Sequence, residues 1–139
     1  MEEVGGIGAA TGANAIGPIT HCISVDVSFA LTPELQTHQG GTLGEGPMVG
    51  HNPILSRQMS EEMEQVGLEQ GIPHQVKVYA GYRTGTDADG IILSGAGAQG
   101  ACTCIPLRYM HTPVEVISAA DMENTAKLAA AYVAQKIRP

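Results

Sequence analysis

The spacing of apolar and polar positions changes several times along the chain, and each change marks an element. Residues 20–27 read Thr-His-Cys-Ile-Ser-Val-Asp-Val, apolar and β-branched, which predicts a strand ending at an acid. Residues 32–47 are rich in Gly, Pro and Thr and predict a loop. Asn52-Pro53 has the form of a helix start, with Ile54, Leu55, Met59, Met63 and Val66 following at helical spacing and Gly71 as the stop. Alternation over 75–80 predicts a strand, and 86–94 a short helix capped by Thr86. A further strand is expected over 101–107, closed by Pro106, and a short extended piece over 114–117. Ser118 then opens a last helix, with Asp121 as capping-box partner and Met122, Ala126, Ala129, Val133 and Ile137 as its buried stripe.

Strands alternating with helices predict an α/β fold, a three-layer α/β/α sandwich. Sites in such folds form where strands end. Glu2-Glu3, Asp26 and His111 all fall just past expected strand ends.

The chain has 139 residues, enough for one domain with a real core. With no Trp and one Phe, that core must be built from Ile, Val, Leu, Met and Ala. A formal charge of −7 and the absence of any Lys/Arg run exclude a nucleic-acid partner. No apolar run approaches the ~20 residues that span a bilayer, so no membrane is expected. The acidic, glycine-rich N-terminus is no signal peptide, and a cytoplasmic protein is expected. Three cysteines in no disulfide pattern fit a reducing compartment. Cys102 and Cys104 share one strand face with Cys22 in another strand, and all are expected to be small buried hydrophobes.

The chemistry-bearing residues each have two readings. Adjacent carboxylates such as Glu2-Glu3 point different ways, so one can bind metal while the other faces a water; a solvated acidic terminus is the plainer account. Asp26, a charge in an apolar strand, needs a partner, whether a metal, a cap or an ion pair. His111 carries the commonest metal-ligand side chain, although a lone histidine is usually no ligand. Asp87 is either a helix-start acid or a pocket wall near an ammonium group. The glycines of residues 6–12 lack the spacing of a dinucleotide or phosphate loop and fit a small-residue helix packed on the sheet.

As an ordered set, Glu2-Glu-Val-Gly, Val25-Asp-Val, Leu43-Gly-Glu-Gly-Pro, Gly71-Ile-Pro-His-Gln, Gly85-Thr-Asp-Ala, the run from Ile105 through Arg108-Tyr-Met-His to Glu115, and Asp121-Met-Glu-Asn-Thr resemble the dinuclear metallo-aminopeptidases that build tetrahedral (TET) particles. That family includes glutamyl and deblocking aminopeptidases, often labelled cellulase or endoglucanase. The resemblance covers the whole chain and implies that residues 1–139 are the C-terminal portion of a metallopeptidase catalytic domain, incomplete because the N-terminal part and an inserted β-domain are missing. It implies that Glu2 is the general base taking a proton from a metal-bound water. Glu3 and His111 would ligate one ion and Asp26 the other. Two divalent ions, zinc or cobalt, are implied for the complete protein. The substrates implied are peptides cleaved at their N-terminal residue, and the assembly implied is a homo-oligomer. The missing segments carry a further His and the bridging Asp, so the fragment is expected to be inactive alone and to bind metal weakly or not at all. A different class of reading makes the chain a non-catalytic interaction module, exposing a sheet edge to a complementary chain. The absence of Trp argues against a sugar cleft.

Overall fold

A computed structural model of the chain describes residues 5–35 and 38–137. In chain order the elements are α1 (Ile7–Ile16), β1 (His21–Phe29), β2 (Met48–His51), α2 (Arg57–Gln70), β3 (Gln75–Val78), α3 (Ala88–Ile91), β4 (Gln99–Arg108), β5 (Val116–Ile117) and α4 (Ala119–Lys136). The strands form one mixed sheet in the order β1-β4-β2-β3, with β5 also beside β4. β4 runs parallel to β1 and antiparallel to β2 and β5.

β4 is the spine because successive side chains serve opposite cores. Ala101 packs with Val49, with Met59, Met63 and Val66 of α2, and with Leu128 and Tyr132 of α4. Cys102 and Cys104 pack on the other face with Met48, Leu55, Ala88 and Ile92. Helices therefore cover both faces, and the expected three-layer α/β arrangement is present. α1 packs against α3 rather than on the sheet: a Cβ on Gly90 would lie 3.2 Å from the Gly6 carbonyl oxygen.

Several local expectations are corrected. The strand around Pro106 does not close there but runs on to Arg108. The Leu107 carbonyl points to β1, accepting from Ala30 N–H at 2.8 Å. The N–H that proline lacks would therefore face the other side, between β2, paired up to Cys104, and β5, paired from Leu107. Asn52 does not open α2. Its Oδ1 accepts from Ile54 N–H in a turn, and its amide donates to the Gly81 carbonyl. Ser56 is the cap, accepting from Met59 N–H, and Gly71 ends the helix at φ 63. In α4 the buried positions are Asp121, Thr125, Leu128 and Tyr132, one residue out of phase with the expected stripe. Met122, Val133 and Ile137 are exposed. Asp121 makes no capping box: it is fully buried and accepts from Gly44 and Gly46 N–H, each at 2.8 Å.

Candidate active site

Parallel pairing of β1 with β4 sets the register Asp26↔Cys104 through Phe29↔Leu107, so both strands end at the same edge. Asp26 lies three residues before the end of β1 and is part-buried. Its Oδ1 accepts from Val27 N–H at 2.6 Å. His111 follows β4 in the turn that returns to β5. Tyr109 and His111 both have φ of 61°, the left-handed region that non-glycine residues rarely adopt. Such strain costs about 1–3 kcal/mol per residue and persists only where the surroundings impose it. Here the Tyr109 carbonyl accepts from Thr112 N–H at 3.1 Å and from Thr112 Oγ1 at 2.6 Å. Glu115 Oε1 accepts from His111 N–H at 2.7 Å.

Asp26, Ser28, Thr84, Gly85, Thr86, Met110, His111 and Glu115 line one open cleft of about 450 Å³, with Phe29 at its rim. The Thr84–Thr86 wall is held by Asp89, which accepts from Thr84 N–H and Oγ1 through Oδ1 and from Gly85 N–H through Oδ2. The helix expected over 86–94 is only the single turn of α3; its cap position is Asp87, without a side-chain cap bond, while Thr86 Oγ1 accepts from Ala88 N–H at 3.2 Å in the turn before it. Asp87 does not form the wall. Its Oδ1 is buried without a hydrogen-bond partner among the described residues, and a Cβ on Gly6 would lie 3.5 Å from it.

Of the site residues expected from sequence, Asp26 and His111 thus share one cleft. Glu2 and Glu3 lie outside the described residues. Among the described residues no group of three or more His, Cys, Asp or Glu side chains could hold a metal ion. The donor chemistry of Asp26 and His111, carboxylate oxygen and imidazole nitrogen, suits zinc-class ions, but two donors fall short of the three protein ligands of a catalytic site. A larger groove of about 540 Å³ lies between β1, α2 and α4, lined by Ile23, Met59, Tyr132 and Val133 among others. It has no carboxylate in its lining, so the smaller cleft is the chemical candidate. Sequence reasoning did not assign Asp89 a role. The signal was an acid four residues after Gly85, a spacing that suits side chain–backbone bonding in a turn.

The model of one family, M42 glutamyl aminopeptidase, matches residues 1–128. The chain belongs to that family. It is 35% identical over 139 residues to a lysyl aminopeptidase of Pyrococcus furiosus, covering all of this chain and 39% of that protein. Among solved structures, an aminopeptidase from the archaeon Desulfurococcus kamchatkensis superposes with a TM-score of 0.86 at 32% identity, over 96% of this chain and 39% of that one. A TET1 peptidase of Pyrococcus horikoshii, described as assembling into a tetrahedron or a large octahedral shell, superposes with a TM-score of 0.68 at 27% identity, over 94% and 37%. This M42 chain therefore spans about two fifths of the length of the relatives it matches. No helix among its described residues is long and apolar enough to cross a membrane.

Proposed function

We propose that this chain carries part of the active site of a metal-dependent aminopeptidase that removes N-terminal residues from peptides. The observation that carries the reading is that Asp26 and His111, 85 residues apart in the sequence, line the same cleft. Asp26 would hold one divalent ion, and Glu3 with His111 the other. Glu2 would take the proton from the attacking water and return it to the leaving amine. When bound, such ions supply Lewis-acid polarisation of the scissile carbonyl and an acidified water. The Glu115 contact to the His111 backbone would keep the imidazole aimed into the cleft. Since the chain spans only part of its relatives' length, it would be inactive until the remaining part is supplied.

The test is aminoacyl-nitroanilide cleavage with added zinc or cobalt. No turnover is expected from this polypeptide alone. Turnover is expected from a full-length protein containing it, with loss of at least ~100-fold on Asp26→Asn or His111→Ala. Robust cleavage by the isolated chain would defeat the inactivity claim. Full activity in both variants would defeat the site assignment.

A second reading is favoured by β1. Among the described residues the only strand it pairs with is β4; Gly41 bonds its other edge at the Phe29 end, and the rest of that edge has no strand partner, beside the 540 Å³ groove and the exposed apolar residues of α4. Open edges invite strand addition. The chain would then associate with a complementary chain, or with copies of itself as the TET1 relative does. Its three free cysteines fit a reducing, cytoplasmic setting. Light scattering after size exclusion decides: a monomer at every concentration would count against association.

A further inference from the structure

Three hydroxyls link the wall of the candidate cleft to the strand that carries Asp26. Thr84 Oγ1 donates to Asp89 Oδ1 at 2.7 Å, and Thr86 Oγ1 lies 2.9 Å from Thr84 Oγ1. Ser24 Oγ of β1 donates to Thr86 Oγ1 at 3.3 Å. A carboxylate only accepts, so the single Thr84 hydroxyl hydrogen is committed to Asp89. Thr86 then donates to Thr84, and every hydroxyl hydrogen points along the chain towards Asp89. Ser24, Thr84 and Thr86 are all buried, at 8% exposure or less, where such a network is stronger than in water.

The ends of this chain meet two different parts of the cleft lining. Thr84, Gly85 and Thr86 line the cleft together with Asp26 and Ser28 of β1. Ser24 stands two residues before Asp26, so both side chains leave β1 on the same face. Asp89 also accepts from Thr84 N–H at 2.9 Å and from Gly85 N–H at 3.0 Å, which ties down the backbone of the wall. Gly85 has φ 77° and no side chain with which to anchor the turn by packing. Asp89 itself is not part of the lining, so any effect it has on the cleft passes through these residues. Its removal would leave one hydroxyl and two backbone N–H groups without their acceptor.

We propose that Asp89 is a positioning residue for peptide binding: through Thr84, Thr86 and Ser24 it holds the cleft wall at a fixed distance from Asp26. The role rests on the aminopeptidase reading of the cleft. A wall fixed before the peptide arrives spares binding the cost of ordering it. Without the acid the wall relaxes and each substrate molecule has to order it, while Asp26 and His111 keep their places. Substrate binding weakens and the chemical step does not, which raises KM and leaves kcat. An acid that served only the fold would act differently: its loss would reduce the folded fraction, and so kcat per chain, at unchanged KM.

The test is steady-state kinetics of aminoacyl-nitroanilide cleavage by the full-length protein with added zinc or cobalt. Asp89→Ala is expected to raise KM about tenfold, with kcat within about threefold of the parent. Thr84→Val keeps the side-chain shape, removes the hydroxyl, and is expected to raise KM about fivefold. The double variant is expected to match Asp89→Ala, because both changes cut one chain. A KM within about threefold of the parent in Asp89→Ala overturns the role, as does a fall in kcat at unchanged KM. Circular dichroism verifies the fold; should the alanine variant not fold, the same limit applies to Thr84→Val. Effects that add in the double variant overturn the hydroxyl chain as the link. Asp26→Asn, measured alongside, separates the two claims. Full activity in Asp26→Asn, or a parent without cleavage, defeats the aminopeptidase site and this role with it. An inactive Asp26→Asn beside an unchanged KM in Asp89→Ala defeats the positioning role alone.

Discussion

Asp121 holds Gly46: the fully buried carboxylate in the first turn of α4 accepts the Gly46 N–H at 2.8 Å, and the Gly44 N–H at the same distance. The pair ties the Leu43–Pro47 run to a helix 75 residues later. The acid also sits near the positive end of the helix dipole. Asp121→Ala would leave two backbone donors without partners, at about 3 kcal/mol or more. Asp121→Asn would turn one amide N–H towards a donor and cost somewhat less, about 2 kcal/mol. Urea unfolding measures both. A loss below ~1 kcal/mol in the alanine variant would refute this role.

Gly44 and Gly46 share a φ of 89° but not their surroundings. A Cβ at Gly46 would lie 2.1 Å from the Pro73 carbonyl oxygen, whereas nothing stands within 4 Å of one at Gly44. Gly44→Ala should cost only the backbone term, about 1 kcal/mol. Gly46→Ala must move backbone and is expected to lower stability by at least ~3 kcal/mol or prevent folding. Similar thermal midpoints for the two variants would contradict the packing described.

Lys136 donates to Glu62 at 2.5 Å and holds its carboxyl below the usual carboxylate value, with the Gln58 amide adding to the effect against a smaller opposing desolvation. A depressed folded pKa means stability that is present above the unfolded value of about 4.3 and lost as pH falls through the folded one. Both side chains are partly exposed, so the increment is under ~1 kcal/mol. Lys136→Met should therefore lower stability slightly at neutral pH and not at all in acid. A deficit that persists unchanged below the folded pKa would sink the assignment.

Tyr109 is half-exposed and held at φ 61°. Asparagine tolerates that region better. Tyr109→Asn is expected to raise stability by about 1 kcal/mol, read by denaturant midpoint. A decrease would mean that ring contacts outweigh backbone strain.

The long elements were legible because their periodicity reports burial directly. The ends of α2 and α4 show what periodicity cannot report. Asn52-Pro53 has the chemistry of a helix cap, but the Asn52 side chain is engaged by the loop around Gly81, a contact no local window contains. The α4 stripe was read one residue out of phase because apolar counting cannot place a buried acid; Asp121 is inside only because two glycine N–H groups from a distant loop meet it. β2 escaped because four residues, one of them Gly50, carry too little pattern. In the candidate site, His111 was readable as a residue just past a strand, whereas Asp26 was placed at a strand end although β1 runs on to Phe29. The hydroxyl chain from Asp89 to Ser24 depends on tertiary geometry alone.

The β1–β4 pairing also bears on assembly in time. Its partners are separated by 78 positions, as in His21↔Gln99. Closing so long a loop carries a large entropic cost before any contact rewards it. The cleft therefore has only one wall until β4 has docked, and the pairing of Asp26 with His111 across it should be among the last things the nascent chain acquires. Pulsed hydrogen exchange during refolding is expected to protect the β1 and β4 amides together, after those of α2. Early protection of β1 by itself would show that this order is wrong.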